Sequence, residues 1–293
     1  MDRERTTPTQ ASVVSIPGFD VTGFIARGGM SRVYRGTERH SGRDVALKIV
    51  PIERSENNNS ATNSVERLLS EAGLLAALSH PYLMPVHAIG DAGEWLYVAM
   101  SYAAGGDLGA RIGKGLTVVE ALRIATCVGQ GLDCAHAHGL VHRDVKPGNV
   151  LFMADDTPVL SDFGLAKPFS MQVGITAVGM VLGSPEYMSP EQAMGQALDG
   201  RTDVYSLGAM LFAMLTGTPP YRGTTTLKTV GMHLDDPVPT LSAPHQWLQP
   251  LITHSMAKAP DERFRSAAAM AKSLAKAHHA LQIAIRRKLS SSA

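Results

Sequence analysis

Apolar and polar residues alternate in short segments through the first hundred positions of the chain. Segments of this kind, rich in Val, Ile and Tyr, are typical of β-strands with one buried face. The strands predicted from them cover residues 19–25, 32–37, 44–50, 86–89 and 95–100. Between the third and fourth strands, apolar residues recur at helical spacing over 64–78 and predict a helix. The pattern therefore indicates a small, mostly β region with a single main helix.

The hydrophobic pattern changes to a helical period after about residue 104. The longest predicted helix, 117–138, opens on Thr117 with Glu120 three positions later, which is the arrangement of a capping box. Three further helices are predicted at 203–215, 247–258 and 266–280. Residues 1–16 are rich in Thr, Ser, Pro and Gln, so we expect them to be disordered.

Size and charge describe an ordinary globular protein. The chain has 293 residues, 44% of them hydrophobic, which is enough for one large domain or two lobes with cores of their own. Its 27 basic and 26 acidic residues leave no charge excess that would favour nucleic acid, so we expect a protein or small-molecule partner. Cys127 and Cys134 lie in one predicted helix about two turns apart, which suits free thiols in a reducing compartment.

No targeting segment is evident. The first ten residues are polar and do not form a signal peptide, and the longest apolar run, near 207–215, is too short to span a bilayer. We expect a cytoplasmic location, while a membrane anchor beyond the end of this chain remains an alternative. The basic residues Arg286, Arg287 and Lys288 are interpreted as a solvated helix end rather than a membrane-binding patch.

One stretch of the chain carries most of its chemical information. Positions 142–149 have the sequence HRDVKPGN, and DFG follows at 162–164. Phosphoryl transfer is catalysed mainly by positioning the reactants and neutralising developing charge, and two aspartates, a lysine and an asparagine serve both tasks. Four histidines, at positions 136, 138, 278 and 279, lack Cys or Asp partners at metal-ligand spacing, so they do not predict a metal site.

These motifs, together with GGMS at 28–31, VALK at 45–48 and SPE at 189–191, resemble those of the bacterial Hanks-type serine/threonine protein kinases, the PknB-like group. The resemblance covers roughly residues 17–279. It implies an α+β, bilobal protein kinase fold, with a β-rich N-lobe (17–103) and a mostly helical C-lobe (104–279). Residues 1–16 then form an N-terminal tail, and 280–293 form the end of a C-terminal helix with its tail.

The resemblance implies roles for the residues of the catalytic motifs. Asp144 accepts or orients the proton of the attacking hydroxyl, and Lys146 lies near the migrating γ-phosphate. Asn149 and Asp162 hold Mg²⁺, with Mn²⁺ as an alternative. The cofactors implied are therefore ATP and a divalent metal ion.

An ATP site is implied by a second set of residues, mainly in the first hundred positions. Lys48 contacts the α- and β-phosphates and pairs with Glu71, and Met100 is the gatekeeper beside the adenine. The set comprises Ile25, Gly28, Gly29, Met30, Ser31, Val33, Ala46, Lys48, Glu71, Met100, Ser101, Ala103 and Leu151. The chain departs from the family pattern G-x-G-x-x-G at Ala26 and Ser31, where the pattern has glycine.

Other residues have structural or regulatory roles in the family. His142 and Phe163 stack with Leu75 into a spine between the lobes, and Asp203 anchors the backbone of the catalytic loop. Glu191 and Arg263 form a buried ion pair at the end of the activation segment. Arg143 receives a phosphate carried by Thr176, the leading phosphorylation site. Where relatives often have a second threonine, this chain has Val178.

The predicted function is that of a serine/threonine protein kinase that also phosphorylates itself. Lys146 and the segment GSPEYM at 183–188 favour Ser or Thr over Tyr as the acceptor. A pseudokinase scaffold is one alternative, supported only by Ala26 and Ser31. A small-molecule kinase is another, although that class usually lacks a full activation segment. The expected partners are protein substrates and FHA-domain readers of phosphothreonine, with neither nucleic acid nor a membrane span in this chain.

Overall fold

The computed structural model describes residues 14–28, 31–51, 73, 78–163 and 184–291. The chain divides into two compact units. The first comprises the residues up to 77 together with 85–102, and the second comprises 78–84 together with 103 onward. No helix in these described segments is both long enough and apolar enough to cross a membrane.

The first unit is built on a five-stranded antiparallel sheet with the strand order β1-β2-β3-β5-β4. Its strands are β1 Phe19–Arg27, β2 Arg32–Glu38, β3 Asp44–Pro51, β4 Val86–Asp91 and β5 Trp95–Ser101. All five predicted strands are confirmed, each ending one or two residues later than expected. The helix predicted at 64–78 lies almost wholly outside the described residues, as does most of the N-terminal tail.

Successive side chains along β3 point alternately to a core face of the sheet and to the opposite face, which is named the site face. Val45, Leu47 and Ile49 are fully buried and pack in a cluster with Phe19 and Tyr97. Because successive strand side chains point to opposite faces, the intervening residues of β3 are directed to the other face of the sheet.

The second unit is mostly helical and also contains a short hairpin. The hairpin consists of β6 Val150–Phe152 and β7 Pro158–Leu160. The helices are α1 Leu108–Lys114, α2 Val118–Ala137, α3 Pro190–Ala193, α4 Gly200–Thr216, α5 Thr226–Asp235, α6 Gln249–Ser255 and α7 Ala267–Ser290. Every residue of α4 from Thr202 to Leu215 is buried, so this helix forms the centre of the unit.

The four helices predicted for the second unit are present, but their ends differ from the prediction. The capping box of α2 is confirmed, since Thr117 and Glu120 make both reciprocal hydrogen bonds. Helix α4 begins three residues earlier than predicted because Asp199 caps it by accepting from the Arg201 backbone N–H. Helix α7 continues ten residues beyond its predicted end at 280, and α6 ends three residues before 258. Helices α1, α3 and α5 were not predicted.

Candidate active site

The backbone of the predicted catalytic loop is held by Asp203, a fully buried residue of α4. Its Oδ2 atom accepts hydrogen bonds from the His142 backbone N–H at 2.8 Å and from the His136 Nε2 atom at 2.7 Å. Its Oδ1 atom accepts one from the Arg143 backbone N–H at 2.8 Å. A buried carboxylate is stable only when its oxygens receive donors of this kind. The loop is therefore fastened to the most deeply buried helix of the unit.

His142 is a neutral side chain that joins this loop to the DFG segment. Its Nδ1 atom accepts from the Asp144 backbone N–H at 3.2 Å, so its Nε2 atom carries the proton and donates to the Ser161 carbonyl at 2.8 Å. Burial lowers the pKa of His142, which keeps the ring neutral. The ring centroid lies 4.5 Å from that of Phe163. Leu75, the third residue expected in this stack, lies outside the described residues.

Three polar side chains meet at the exposed edge of the loop. The Lys146 Nζ atom lies 2.9 Å from the Asp144 Oδ2 atom, and both side chains are partly exposed. The Asn149 amide nitrogen donates to the Asp144 carbonyl at 2.8 Å and to Asp144 Oδ2 at 3.1 Å. The Asp144 carboxyl group is thus fixed by a cation and an amide donor while remaining accessible to a substrate.

The two residues predicted to bind metal are tied to each other through Ser161. The Ser161 backbone N–H and hydroxyl both donate to the Asn149 carbonyl, at 2.8 Å and 3.1 Å. Asp162 follows directly and has a φ of 60°, in the left-handed region that side chains other than glycine rarely adopt. Such a conformation costs about 1–3 kcal/mol and persists only where the surroundings impose it.

The chemistry of this pair fits a hard divalent cation. The Asn149 amide nitrogen is directed at Asp144, which leaves the amide oxygen as the side-chain atom that could bind a metal ion. Amide and carboxylate oxygens are the ligands that magnesium prefers, and magnesium in such sites keeps most of its remaining ligands as water and substrate phosphate. Among the described residues there is no group of three or more His, Cys, Asp or Glu side chains that would form a complete metal cage.

Four of the predicted ATP-binding residues share the site face of the sheet in the first unit. In the strand register Val33 pairs with Lys48 and Ala46 pairs with Met100, and cross-strand partners point to the same face. Ala46 and Lys48, two positions apart on β3, point the same way. Lys48 is only 8% exposed, so its side chain is buried on this face.

The turn between β1 and β2 is tight at Gly28. The Gly28 backbone N–H donates to the Ser31 carbonyl at 2.8 Å, and a Cβ at Gly28 would lie 2.7 Å from the Ser31 hydroxyl. Ala26, the first departure from glycine, is paired with Val33 in the strand ladder, directly after a shift in register between Phe24 and Ala26. Ile25, the neighbouring strand residue, is exposed. The predicted residues Gly29 and Met30 lie outside the described residues.

A relay of side chains fixes the Ser101 hydroxyl at the end of β5. The Arg43 guanidinium lies 2.7 Å from the Nδ1 atom of His87, whose Nε2 atom lies 2.8 Å from the Ser101 hydroxyl. Since a guanidinium can only donate, Nδ1 accepts and the Nε2–H group donates to Ser101. Burial, and then the Arg43 charge, lower the pKa of His87 and stabilise this neutral form.

The remaining predicted residues of the nucleotide site belong to the second unit or cannot be placed. Ala103 is the first residue of that unit after β5, and Leu151 lies in the middle of β6, paired with Val159. Glu71, expected to pair with Lys48, and Thr176, the expected phosphorylation site, lie outside the described residues.

Glu191 and Arg263 form a buried, bidentate ion pair beside α3 and α4. Both guanidinium nitrogens of Arg263 lie 2.7 Å from the Glu191 carboxylate, which also accepts from the Thr202 hydroxyl at 2.8 Å. Burial opposes ionisation of Glu191, but the hydrogen bonds and charge of Arg263 outweigh it and leave the pKa of this carboxyl lowered. The pair fixes the chain that follows the activation segment.

Sequence reasoning missed three residues that support the catalytic loop. His136, considered only as a metal ligand, instead donates to Asp203, and Ser161 binds the Asn149 carbonyl. Gln192 donates to the carbonyl of Arg143 at 2.8 Å. His136 is separated from Asp203 by 67 positions and Gln192 from Arg143 by 49, so no local pattern in a single sequence would reveal those contacts.

The fold and this site define a protein kinase. Residues 19–275 match the family model described as the protein kinase domain, and the chain belongs to that family. The predicted recognition and fold class are confirmed. A kinase domain uses ATP and a divalent metal, and it acts on protein substrates.

Proteins similar to this chain include serine/threonine-protein kinases of mycobacteria. PknB of Mycobacterium leprae is 33% identical over 270 residues, which cover 88% of this chain and 42% of PknB. PknD of Mycobacterium tuberculosis is 36% identical over 255 residues, which cover 85% of this chain and 38% of PknD. The crystal structure of the Mycobacterium tuberculosis PknI kinase domain superposes with a TM-score of 0.70 at 29% identity, covering 91% of this chain and 98% of that domain. These similarities confirm the predicted class of enzyme, a serine/threonine protein kinase.

The chain spans about two-fifths of the length of PknB and PknD. The shared region is therefore the kinase domain of those proteins, and the activity, substrates and partners of this protein follow below as proposals.

Proposed function

We propose that this protein transfers the γ-phosphoryl group of Mg-ATP to Ser and Thr hydroxyls of protein substrates, including its own activation segment. The observation that carries the proposal is the cluster of Asp144, Lys146 and Asn149 on a loop whose backbone is fixed by the buried Asp203. Positioning and charge neutralisation are what phosphoryl transfer requires, and this cluster provides both.

In this function Asp144 orients the acceptor hydroxyl and receives its proton. The nearby Lys146 ammonium places positive charge where the transferring phosphoryl group develops negative charge. Asn149 prevents rotation of the carboxylate through its hydrogen bond to Oδ2. A carboxylate fixed in this way loses little entropy when the substrate arrives.

Asn149 and Asp162 would hold the magnesium ion, and Mn²⁺ would satisfy the same oxygen donors. When bound, the metal neutralises charge on the phosphate oxygens. Lys48, paired with Glu71, would add a second positive charge at the α- and β-phosphates. Glycines 28 and 29, with Met30 and Ser31, would cover the phosphates from the turn between β1 and β2.

The adenine ring would lie against the apolar site face of the sheet. Val33, Ala46 and Met100 on that face, with Ile25 and Leu151, would enclose the ring. The backbone groups of Ser101 and Ala103 would bind its polar edge. Backbone recognition of this kind depends on strand geometry more than on side-chain identity, so Ser101 is compatible with it.

Regulation would follow from the arginine that precedes Asp144. A phosphate on Thr176 would pair with Arg143 and add about one to three charge-assisted hydrogen bonds that order the segment. We also propose that phosphothreonines made by this kinase are bound by FHA-domain partners.

The test is autophosphorylation of the purified protein with Mg-ATP, compared with Asp144→Asn. We expect phosphate on Ser and Thr, with Thr176 as the main site, and a rate lower by about two to four orders of magnitude in the variant. Nucleotide binding and thermal melting of both proteins serve as controls for folding. Transfer by neither protein, with ATP binding intact, would contradict the proposal and favour a scaffold. Phosphate only at other sites would contradict the role of Thr176 alone.

A further inference from the structure

Gln192 is a buried polar residue whose contacts lead to the catalytic aspartate. It is the third residue of α3 (Pro190–Ala193), and only 5% of its surface is exposed. The Ser189 backbone N–H donates to its side-chain oxygen at 3.1 Å, and the Ser189 hydroxyl accepts from the Gln192 backbone N–H at 3.3 Å. A capping box needs only the oxygen of the side chain, so the amide nitrogen is available for another acceptor.

That amide nitrogen donates to the backbone carbonyl of Arg143 at 2.8 Å. The carbonyl belongs to the peptide group that joins Arg143 to Asp144. The N–H of the same peptide group donates to the Nδ1 atom of His142 at 3.2 Å. Both polar atoms of this one peptide group are thus bonded to side chains, and its plane is fixed from two sides.

The Arg143 backbone requires such support because its φ is 64°. A non-glycine residue in the left-handed region costs about 1–3 kcal/mol unless the surroundings favour it. The hydrogen bond from the Arg143 N–H to Asp203 restrains the residue on its N-terminal side. Gln192 restrains it on the side that leads to Asp144.

We propose that Gln192 is a positioning residue for phosphoryl transfer. By orienting the Arg143–Asp144 peptide, it sets the direction in which the Asp144 side chain leaves the backbone. It also couples that direction to the chain after the activation segment, because the same side chain caps α3. This inference rests on the proposed function and deepens it.

Substitutions of Gln192 separate positioning from folding. Gln192→Glu has nearly the same shape and retains the oxygen that caps α3, but it places a carboxylate oxygen against the Arg143 carbonyl in place of the donor. Gln192→Met keeps the approximate length and removes both hydrogen bonds. Gln196→Glu makes the same change of charge on an exposed glutamine four residues later and is the matched control.

Steady-state kinetics with a Ser/Thr peptide and Mg-ATP, and thermal melting, are measured for all four proteins. A misdirected Asp144 lowers kcat while leaving ATP binding intact, so we expect both Gln192 variants to lose about ten- to hundredfold in kcat. The KM for ATP is expected to stay within about twofold, because the hydrogen bonds of the Gln192 side chain go to Ser189 and Arg143, neither of which is assigned to the nucleotide site. Gln196→Glu is expected to match the wild type.

A kcat equal to that of the wild type in either folded variant overturns the inference. A parallel loss of kcat, nucleotide binding and melting temperature, or failure of both variants to fold, also overturns it, since Gln192 would then be a structural residue only. Amide hydrogen exchange in residues 142–145 provides a readout that does not depend on activity. We expect faster exchange there in Gln192→Met, and unchanged exchange contradicts the role even if the wild-type protein transfers no phosphate.

Discussion

In the buried Glu191–Arg263 pair, the negative charge of Glu191 is needed to neutralise a buried guanidinium. Arg263 also donates to the backbone carbonyls of Ala257, Lys258 and Arg201. Its guanidinium is therefore almost fully enclosed by acceptors, and Glu191 supplies the negative charge among them. Without that carboxylate, the cation would be left buried and unneutralised.

We expect Glu191→Ala to lower the free energy of unfolding by about 3–5 kcal/mol, because it removes one partner of a buried ion pair. Asp20→Ala, which breaks the exposed Arg39–Asp20 pair, is expected to change it by less than about 1 kcal/mol. Urea denaturation of the three proteins measures the difference. Equal effects of the two substitutions would show that Arg263 finds another neutralising partner.

Regular elements were predicted to the extent that their burial follows a period in the sequence. The strands of the first unit were correct to within two residues because short apolar segments rich in β-branched residues mark them, as in β3, where Val45, Leu47 and Ile49 share the core face. Helix α5 was missed because its sequence, TLKTVGMHLD, includes Thr and Gly and buries only three residues. The extension of α7 was missed because its last turns are exposed and have no apolar period facing a core.

Site residues within one motif are predicted together with their mutual contacts, whereas contacts between distant residues were predicted only through the resemblance to the kinase family. Asp144, Lys146 and Asn149 fall within six positions, and their mutual contacts follow from the loop itself. The supports of that loop come from three helices, where three-dimensional packing selects a donor in α2, a donor in α3 and the acceptor Asp203 in α4. A single sequence does not encode such pairings in its spacing.

Helix α4 provides a test of packing against propensity through Gly200. A Cβ at this position would lie 2.6 Å from the Nδ1 atom of His136, whose other ring nitrogen is bonded to Asp203. We expect Gly200→Ala to lower both the melting temperature and kcat, although Ala favours helices over Gly by about 1 kcal/mol. The reason is that the His136 ring is fixed by its hydrogen bond and cannot move without disturbing Asp203.

Gly113→Ala in α1 is the matched control, because a Cβ there meets no atom within 4 Å. It is expected to stabilise the protein by about 0.5–1 kcal/mol without a change in kcat. Melting temperatures and steady-state rates of both variants show whether the contact with His136 outweighs the helix propensity of Ala. A Gly200→Ala protein as active and stable as Gly113→Ala would mean that His136 is not needed where it lies.

At the scale of the whole molecule, several buried histidines make stability depend on pH. Burial lowers the pKa of His142, and burial followed by the Lys258 charge lowers that of His233 to about 3. In the unfolded chain these groups take up protons below about pH 6.5, while the folded protein excludes them. The unfolded state therefore binds more protons, and the free energy of unfolding decreases as the pH falls.

His233 stays neutral in the folded state down to about pH 3, so it takes up a proton only on unfolding. We expect His233→Phe to abolish this uptake and so weaken the pH dependence of stability. Between pH 6 and 5, the free energy of unfolding of the variant should fall less steeply with pH than that of the wild type, by up to about 1.4 kcal/mol per pH unit. Urea denaturation across that range gives the slopes, which are compared in place of absolute stabilities because the substitution also removes the Tyr205 hydrogen bond. The exposed His279→Phe is the control, and a slope equal to wild type in His233→Phe would contradict the assignment.

The attachment of the catalytic loop to α4 limits where control of this enzyme can act. The Asp203 carboxylate that fixes the loop belongs to the best-protected helix of its unit, so the loop cannot be released without exposing the core. Inactivating the enzyme by releasing this loop would expose apolar core residues to proteases and chaperones, and the inactive form would not be a stable, reversible state. We therefore expect reversible signals to act on less buried parts of the chain and to leave the catalytic loop attached to α4.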